Sequence, residues 1–277
     1  GAHAGSSTVI HVVLAVAAGI FAWLWLSLSG GAGGTDWHGF MGAEPSFTTA
    51  PANGDVIAPV TLVVLYPFTF LSDQASWLVC SVLCMALGLV TIWCVEQTAE
   101  IAGLGSRRVR ERAVLFGGLF LMYAWALPGA RWGHADDCLA LTFAALAVRA
   151  MVSGRWLMAS VLIGVGIDAK PWAILVVPLV AAGNGPRLRG LVVVGAVAVI
   201  PWIPFFFLQH GHLGSLNLPV TADSDLRYLG AAVGATPGWA RERQLAVALP
   251  MGAYAAQRIG VLLGQEHGSE GHADRGF

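Results

Sequence analysis

The sequence predicts an all-α, polytopic integral membrane protein with about eight transmembrane helices. Three observations carry that prediction. Only 11% of the 277 residues are charged, against roughly 25% in soluble domains, while 56% are hydrophobic. Several apolar runs approach the length of about 20 residues that a helix needs to cross a bilayer. Arginines cluster between these runs, in the pattern that the positive-inside rule gives to one face of a membrane. The 35 Gly and 13 Pro suit broken membrane helices. The net charge of −1 speaks against nucleic acid as a partner, and membrane lipids are the expected surroundings.

The elements follow in order. Thr8 to Leu28 is span one; it has no basic stretch before it and exceeds the length of the apolar core of a usual signal sequence, so it is read as retained. A Gly-rich, acidic outer loop (30–74) follows, with Asp36, His38, Glu44 and Asp55. Within it, Val56 to Leu71 is apolar but interrupted by Pro59 and Pro67, which predicts an interfacial or re-entrant helix instead of a span. Ala75 to Val95 is span two, Glu96 to Arg112 an arginine-bearing linker, and Ala113 to Pro128 span three. A short outer loop (129–137) leads to span four, from Cys138 to about Val152.

Trp156 to Asp168 and Pro171 to Ala182 are each short for a crossing. Read as two arms of a hairpin with Lys170 at its tip, they leave Arg107–Arg112, Arg149, Arg155, Arg187 and Arg189 on one side, the cytoplasmic side. Pro171 favours the break, since it removes a helix bond and restrains Lys170. Span seven runs from about Leu188 to Leu208, an outer loop from 209 to 243, and span eight from Gln244 to about Leu263. Residues 1–264 thus form one transmembrane domain, and 265–277 a polar tail of disordered composition. Cys80, Cys84, Cys94 and Cys138 lie in apolar runs and read as packing residues. No histidine or further thiol completes a metal set beside them, so neither a metal nor another cofactor is expected.

This topology collects most remaining ionisable groups on the outer face. In Gly133-His134-Ala135-Asp136-Asp137, two carboxylates open a helix, where the dipole favours anions. They read either as a solvated helix cap, or as a general base or a pair that positions an acceptor hydroxyl or a metal, since paired carboxylates push one pKa up. Asp168-Ala169-Lys170-Pro171-Trp172 reads either as an intramembrane ion pair or as a lysine holding a lipid phosphate, with Trp172 at headgroup level. Asp36 reads as a loop residue or as a catalytic carboxylate. His210 and His212 are loop residues before they are ligands. Asp223, Asp225 and Arg227 form a solvated turn or part of a sugar site.

The stretch from Trp132 to Pro178, with Gly133-His134-Ala135-Asp136-Asp137, Ala147-Val148-Arg149, Gly154-Arg155-Trp156, Gly164-Val165-Gly166 and Asp168-Ala169-Lys170-Pro171-Trp172, resembles the multispanning glycosyltransferases of the GT-C class. The nearest branch is the actinobacterial mannosyltransferases that use polyprenyl-phosphomannose. The segment from Ala58 to Trp77 is similar to the proline-containing interface segment of that family. The resemblance covers about a third of the chain. It implies a GT-C-like fold, and a catalytic carboxylate in the first outer loop, which Asp36 would match. It also implies a later acidic motif at Asp136 and Asp137, and a lysine at an outer hairpin tip, Lys170. His134, Arg131, Trp172, Asp168 and Arg227 are the accompanying substrate-binding candidates. Family members continue with further spans after the stretch matching 244–263, so the resemblance implies a shortened member.

The implied reaction is inverting transfer of a hexose or pentose, such as mannose, from a polyprenyl-phosphate donor to a lipid or glycan acceptor. It would take place at the outer leaflet of the plasma membrane. An ion-coupled transporter, a lipid flippase or an inactive membrane scaffold is the alternative reading of the same charges.

Overall fold

A computed structural model describes residues 3–28, 37, 58–183 and 185–204. The described residues are all-helical, with no strand among them. Helix α1 is His3–Leu28. Helix α2 is Pro59–Leu65, continued by a 3-10 turn over Tyr66–Phe70. Helix α3 is Asp73–Ile101, and α4 is Arg107–Ala126, which widens into a π-helical turn at Leu127–Trp132. Helix α5 is Ala135–Val152 and α6 is Trp156–Ala169. A 3-10 stretch, Pro171–Val176, leads to the short α7, Pro178–Ala182, and then to α8, Arg187–Val199.

Four segments are long and apolar enough to cross a membrane: Thr8–Leu28, Asp73–Ile101, Arg107–Trp132 and Arg187–Pro204. Pro59–Phe70 is a shorter apolar helix, as its two prolines imply. The arms Trp156–Ala169 and Pro171–Ala181 are short as well. The stretch expected as span eight, the polar tail and the outer loop containing His210, His212, Asp223, Asp225 and Arg227 lie outside the described residues. Most exposed large side chains are apolar, including Val9, Val16, Trp23, Phe116, Phe120, Leu157 and Val192. In water such a surface would aggregate, whereas lipid tails solvate it.

Side-chain contacts fix how the helices run. His11 Nε2 lies 2.9 Å from Glu96 Oε2, which sets the start of α1 beside the end of α3. The Arg131 guanidinium lies 5.3 Å from the Trp25 ring, which sets the end of α1 beside the π turn. Arg149, near the end of α5, stacks 4.6 Å over Trp93, late in α3. Helices α1, α4, α6 and α8 therefore run one way and α3 and α5 the other. Beyond Lys170 the chain returns: Gly183 comes against Met151, and Gly185 against Trp156. Lys170 thus sits at the tip of a turn, with residue 183 back at the level where α6 began.

Packing between these helices uses the devices of membrane interiors, where small residues let backbones approach. A Cβ at Gly118 would lie 2.9 Å from Leu14, and one at Gly164 would lie 2.7 Å from Val197. Polar contacts tie α3 to its neighbours. The Trp125 indole donates to the Cys84 carbonyl at 2.8 Å, and the Thr91 and Thr142 hydroxyls meet at 3.1 Å. Interhelical bonds of this kind average about 0.6 kcal/mol, so they fix register more than they add stability. Cys80, Cys84, Cys94 and Cys138 are all buried free thiols.

The alternation segregates charge. One end holds Glu96, Arg107, Arg108, Arg110, Arg149, Arg155, Arg187 and Arg189; the other holds Asp73, Arg131, His134, Asp136, Asp137 and Lys170. In a cysteine-free background, a thiol placed at Gly105 and one placed at Ser72 should therefore react with an impermeant maleimide from opposite sides of the membrane. Labelling of both from the same side would contradict this arrangement of α3.

Candidate functional site

The end opposite the arginines is built around one sharp turn. Pro128 has no N–H to donate, and α4 loosens there into the π turn. Gly133 then takes φ 76°, a left-handed conformation that costs other residues strain. The His134 N–H donates back to the Pro128 carbonyl at 3.0 Å. Gly133 also admits two aromatic rings: a Cβ there would lie 2.8 Å from the Trp77 ring and 2.9 Å from the Trp37 Cβ. Trp37 is 1% exposed, with its ring 6.2 Å from Trp77 and 6.4 Å from Phe68. The turn reverses the chain within two residues, so α5 starts with Ala135-Asp136-Asp137 at the bundle's end.

Onto this first turn the α6 break delivers a cation. Lys170 is extended (φ −151°, ψ 122°), as the residue before a proline prefers. Its Nζ lies 2.5 Å from Asp136 Oδ2 and 3.7 Å from Asp137 Oδ2. The Trp172 indole donates to Asp137 Oδ1 at 2.7 Å, and His134 Nδ1 lies 3.2 Å from Asp137 Oδ2. The Asp137 N–H donates to Asp136 Oδ1 at 2.8 Å, an unpaired helix-start donor met by its neighbour. The side chains of Lys170, Asp136, Asp137 and His134 are each a quarter to a third exposed. An ion pair so open to solvent adds about 1 kcal/mol or less to stability. Its consequence is placement: two carboxylates, an imidazole and an ammonium converge from segments 34 residues apart.

With His134 neutral, this cluster carries one net negative charge. Ligand atoms of His134, Asp136 and Asp137 lie within 4.8 Å of one another, so these three are the described residues that could share a cation. Lys170 already supplies a positive charge at Asp136. Burial pushes the Asp137 carboxyl up, but the His134 hydrogen bond, the Lys170 charge and the Trp172 hydrogen bond outweigh it and hold it below the carboxylate range.

The sequence weighed Asp168 as the ion partner of Lys170; the structure assigns that partner to Asp136 instead. Asp168 is 1% exposed and accepts the Val60 N–H at 3.0 Å. Thr61 adds a bond to the Ala169 carbonyl at 3.3 Å. Asp168 therefore caps the start of α2, where free N–H groups point outward, and holds that helix to the end of α6. Arg131, a binding candidate from sequence, stacks on Trp25 and secures α1 to the π turn. Asp36 and Arg227 lie outside the described residues. The packing of Trp37 and Trp77 on Gly133 was not read from the sequence, although Gly133 opens the acidic motif. Spacing gives no sign that they meet, and the one available signal was the glycine directly before the acidic motif.

Fold and site together define a helical membrane-type bundle with a charged, partly open cluster at one end. Comparison with protein-family models, with curated proteins and with solved structures finds no match to this chain.

Two outcomes are expected here. Gly133→Val combines left-handed strain with a clash on Trp77 and Trp37, and should lower stability by about 1–3 kcal/mol or more, read as a fall in Tm in detergent. The second concerns acid. Because the folded-state pKa of Asp137 is lowered, its stabilising contribution is complete above the ordinary value of 3.8 and drains away as pH falls through the lowered one. The Tm of Asp137→Asn should therefore change less than that of the wild type as pH falls below 3.8. Parallel Tm curves would show that Asp137 gains nothing from its neighbours.

Proposed function

We propose that this protein is a GT-C-like glycosyltransferase that moves a sugar, such as mannose, from a polyprenyl-phosphate donor to a lipid or glycan acceptor. It would act at the outer leaflet of the plasma membrane. The observation that carries the reading is the convergence of Lys170 and Trp172 on Asp136 and Asp137. Such a transfer needs a base beside a cation. A carboxylate takes the acceptor proton as the acceptor oxygen bonds to the anomeric carbon. The bond from that carbon to the phosphate oxygen breaks, and the phosphate departs already anionic. The leaving group then needs charge stabilisation and no acid. Lys170 is suited to this as a point charge for phosphate.

The packing of Trp37 adds support. Trp37, which packs on Gly133, is the covalent neighbour of Asp36. The arginine-poor end holds the cluster, and the positive-inside rule turns that end outward. An ion-coupled transporter would instead favour charges near the middle of the bundle.

The test is incubation of the purified protein in nanodiscs with polyprenyl-phosphate sugars, following released polyprenyl phosphate. The Asn variant of whichever carboxylate among Asp36, Asp136 and Asp137 is the base should lose about two to three orders of magnitude in turnover. Lys170→Met should weaken donor binding by about one to two decades with a smaller effect on Tm. Wild-type turnover in all three Asn variants would leave the mechanism without a base.

A further inference from the structure

We propose that Asp136 sets the site's affinity for phosphate by competing for Lys170, so that neutralising this one carboxylate tightens phosphate binding. The inference takes its ligand class, a phosphate monoester on a lipid chain, from the transferase reading above.

Three observations carry it. Lys170 is the only lysine in the sequence, and every other fixed cation is arginine. Arginine offers a rigid planar fork, whereas lysine offers a rotatable point charge that can pass from one anion to another. The two carboxylates also hold it unequally: 2.5 Å separates Nζ from Asp136 and 3.7 Å from Asp137. Finally, Asp137 has other donors in Trp172 and His134, whereas Lys170 is the charged donor on Asp136 among the described side-chain contacts. A phosphate that draws Lys170 toward itself therefore takes it mainly from Asp136. By linkage, whatever strengthens the hold of Asp136 on Lys170 weakens phosphate binding by the same factor.

The two carboxylates make the competition measurable. Either Asn substitution removes one negative charge that repels phosphate. Only Asp136→Asn also removes the close competitor for Lys170. The difference between the variants isolates the contact from general charge.

Binding of dodecyl phosphate and of inorganic phosphate is measured by calorimetry on the full chain in zwitterionic nanodiscs. Asp136→Asn should bind dodecyl phosphate about three- to tenfold more tightly than the wild type. Asp137→Asn should gain less, and the extra gain should vanish in the Asp136→Asn, Lys170→Met double variant. That double variant removes both charges of the pair, so it keeps the balance that folding requires and guards against a variant that merely unfolds. A response to dodecyl phosphate alone assigns the site to a lipid headgroup, and a response to both ligands assigns it to phosphate in either form. The proposal is overturned if Asp136→Asn binds no more tightly than the wild type. It is equally overturned if Asp137→Asn gains as much, or if the gain persists without Lys170. Sugar transfer is not read in this assay. Binding that follows the pattern without any transfer sinks the transferase reading alone, and transfer without the pattern sinks this inference alone.

Discussion

The contact between Lys170 and Asp136 is the constraint on which the charged end depends. It joins the first turn of α5 to the break that ends α6, at the end of a seam where Gly166 lies close to Ala140 and Phe143. Its direct contribution to stability is small, because both groups are about a third open to solvent. Its effect is geometric. With Lys170 on Asp136, Trp172 falls within 2.7 Å of Asp137, and His134 closes the other side of that carboxylate. The carboxylates differ in their partners: Asp136 takes the near contact with the ammonium, and Asp137 those with the indole and the imidazole.

Two backbone devices make the contact available. At one, Pro171 stops α6 and extends Lys170 away from the helix axis. At the other, the π turn and Gly133 end α4 and start α5 within a few residues, so the acidic pair opens a helix instead of lying along one. Both breaks fall at the same end of the bundle. Irregular backbone in a membrane protein is tolerated where other protein groups satisfy it. Here the Asp168 carboxylate does this for Val60, the Pro128 carbonyl for His134 and Asp136 for Asp137.

Burial separates Asp168 from the cluster although it lies two residues from Lys170. Asp168 lies on the last turn of α6, whereas Lys170 has already left the helix for extended backbone. Lys170 goes to the open end, while Asp168 goes into the seam between α6 and α2 and accepts a backbone N–H. A single short motif therefore contributes one group to the site and another to the framework around it.

The sequence by itself determined the all-helical, membrane-type character, through apolar run length and charge deficit, both local properties. It also determined the breaks at Pro171 and in the proline-containing Pro59–Phe70 segment, because proline acts on its own backbone. Arginine positions gave the alternation of ends, since each cluster marks a turn. Tertiary structure alone decided which charges meet. Asp136 and Lys170 are 34 residues apart, and only the antiparallel course of α5 and α6 brings them to one level. It also decided that Asp168 would cap α2, a pairing across 108 residues, and that Trp37 and Trp77 would close over Gly133. Element type is written in local composition and backbone chemistry. Pairing depends on helix register and crossing, which emerge when small residues such as Gly118 and Gly164 set how closely the helices approach.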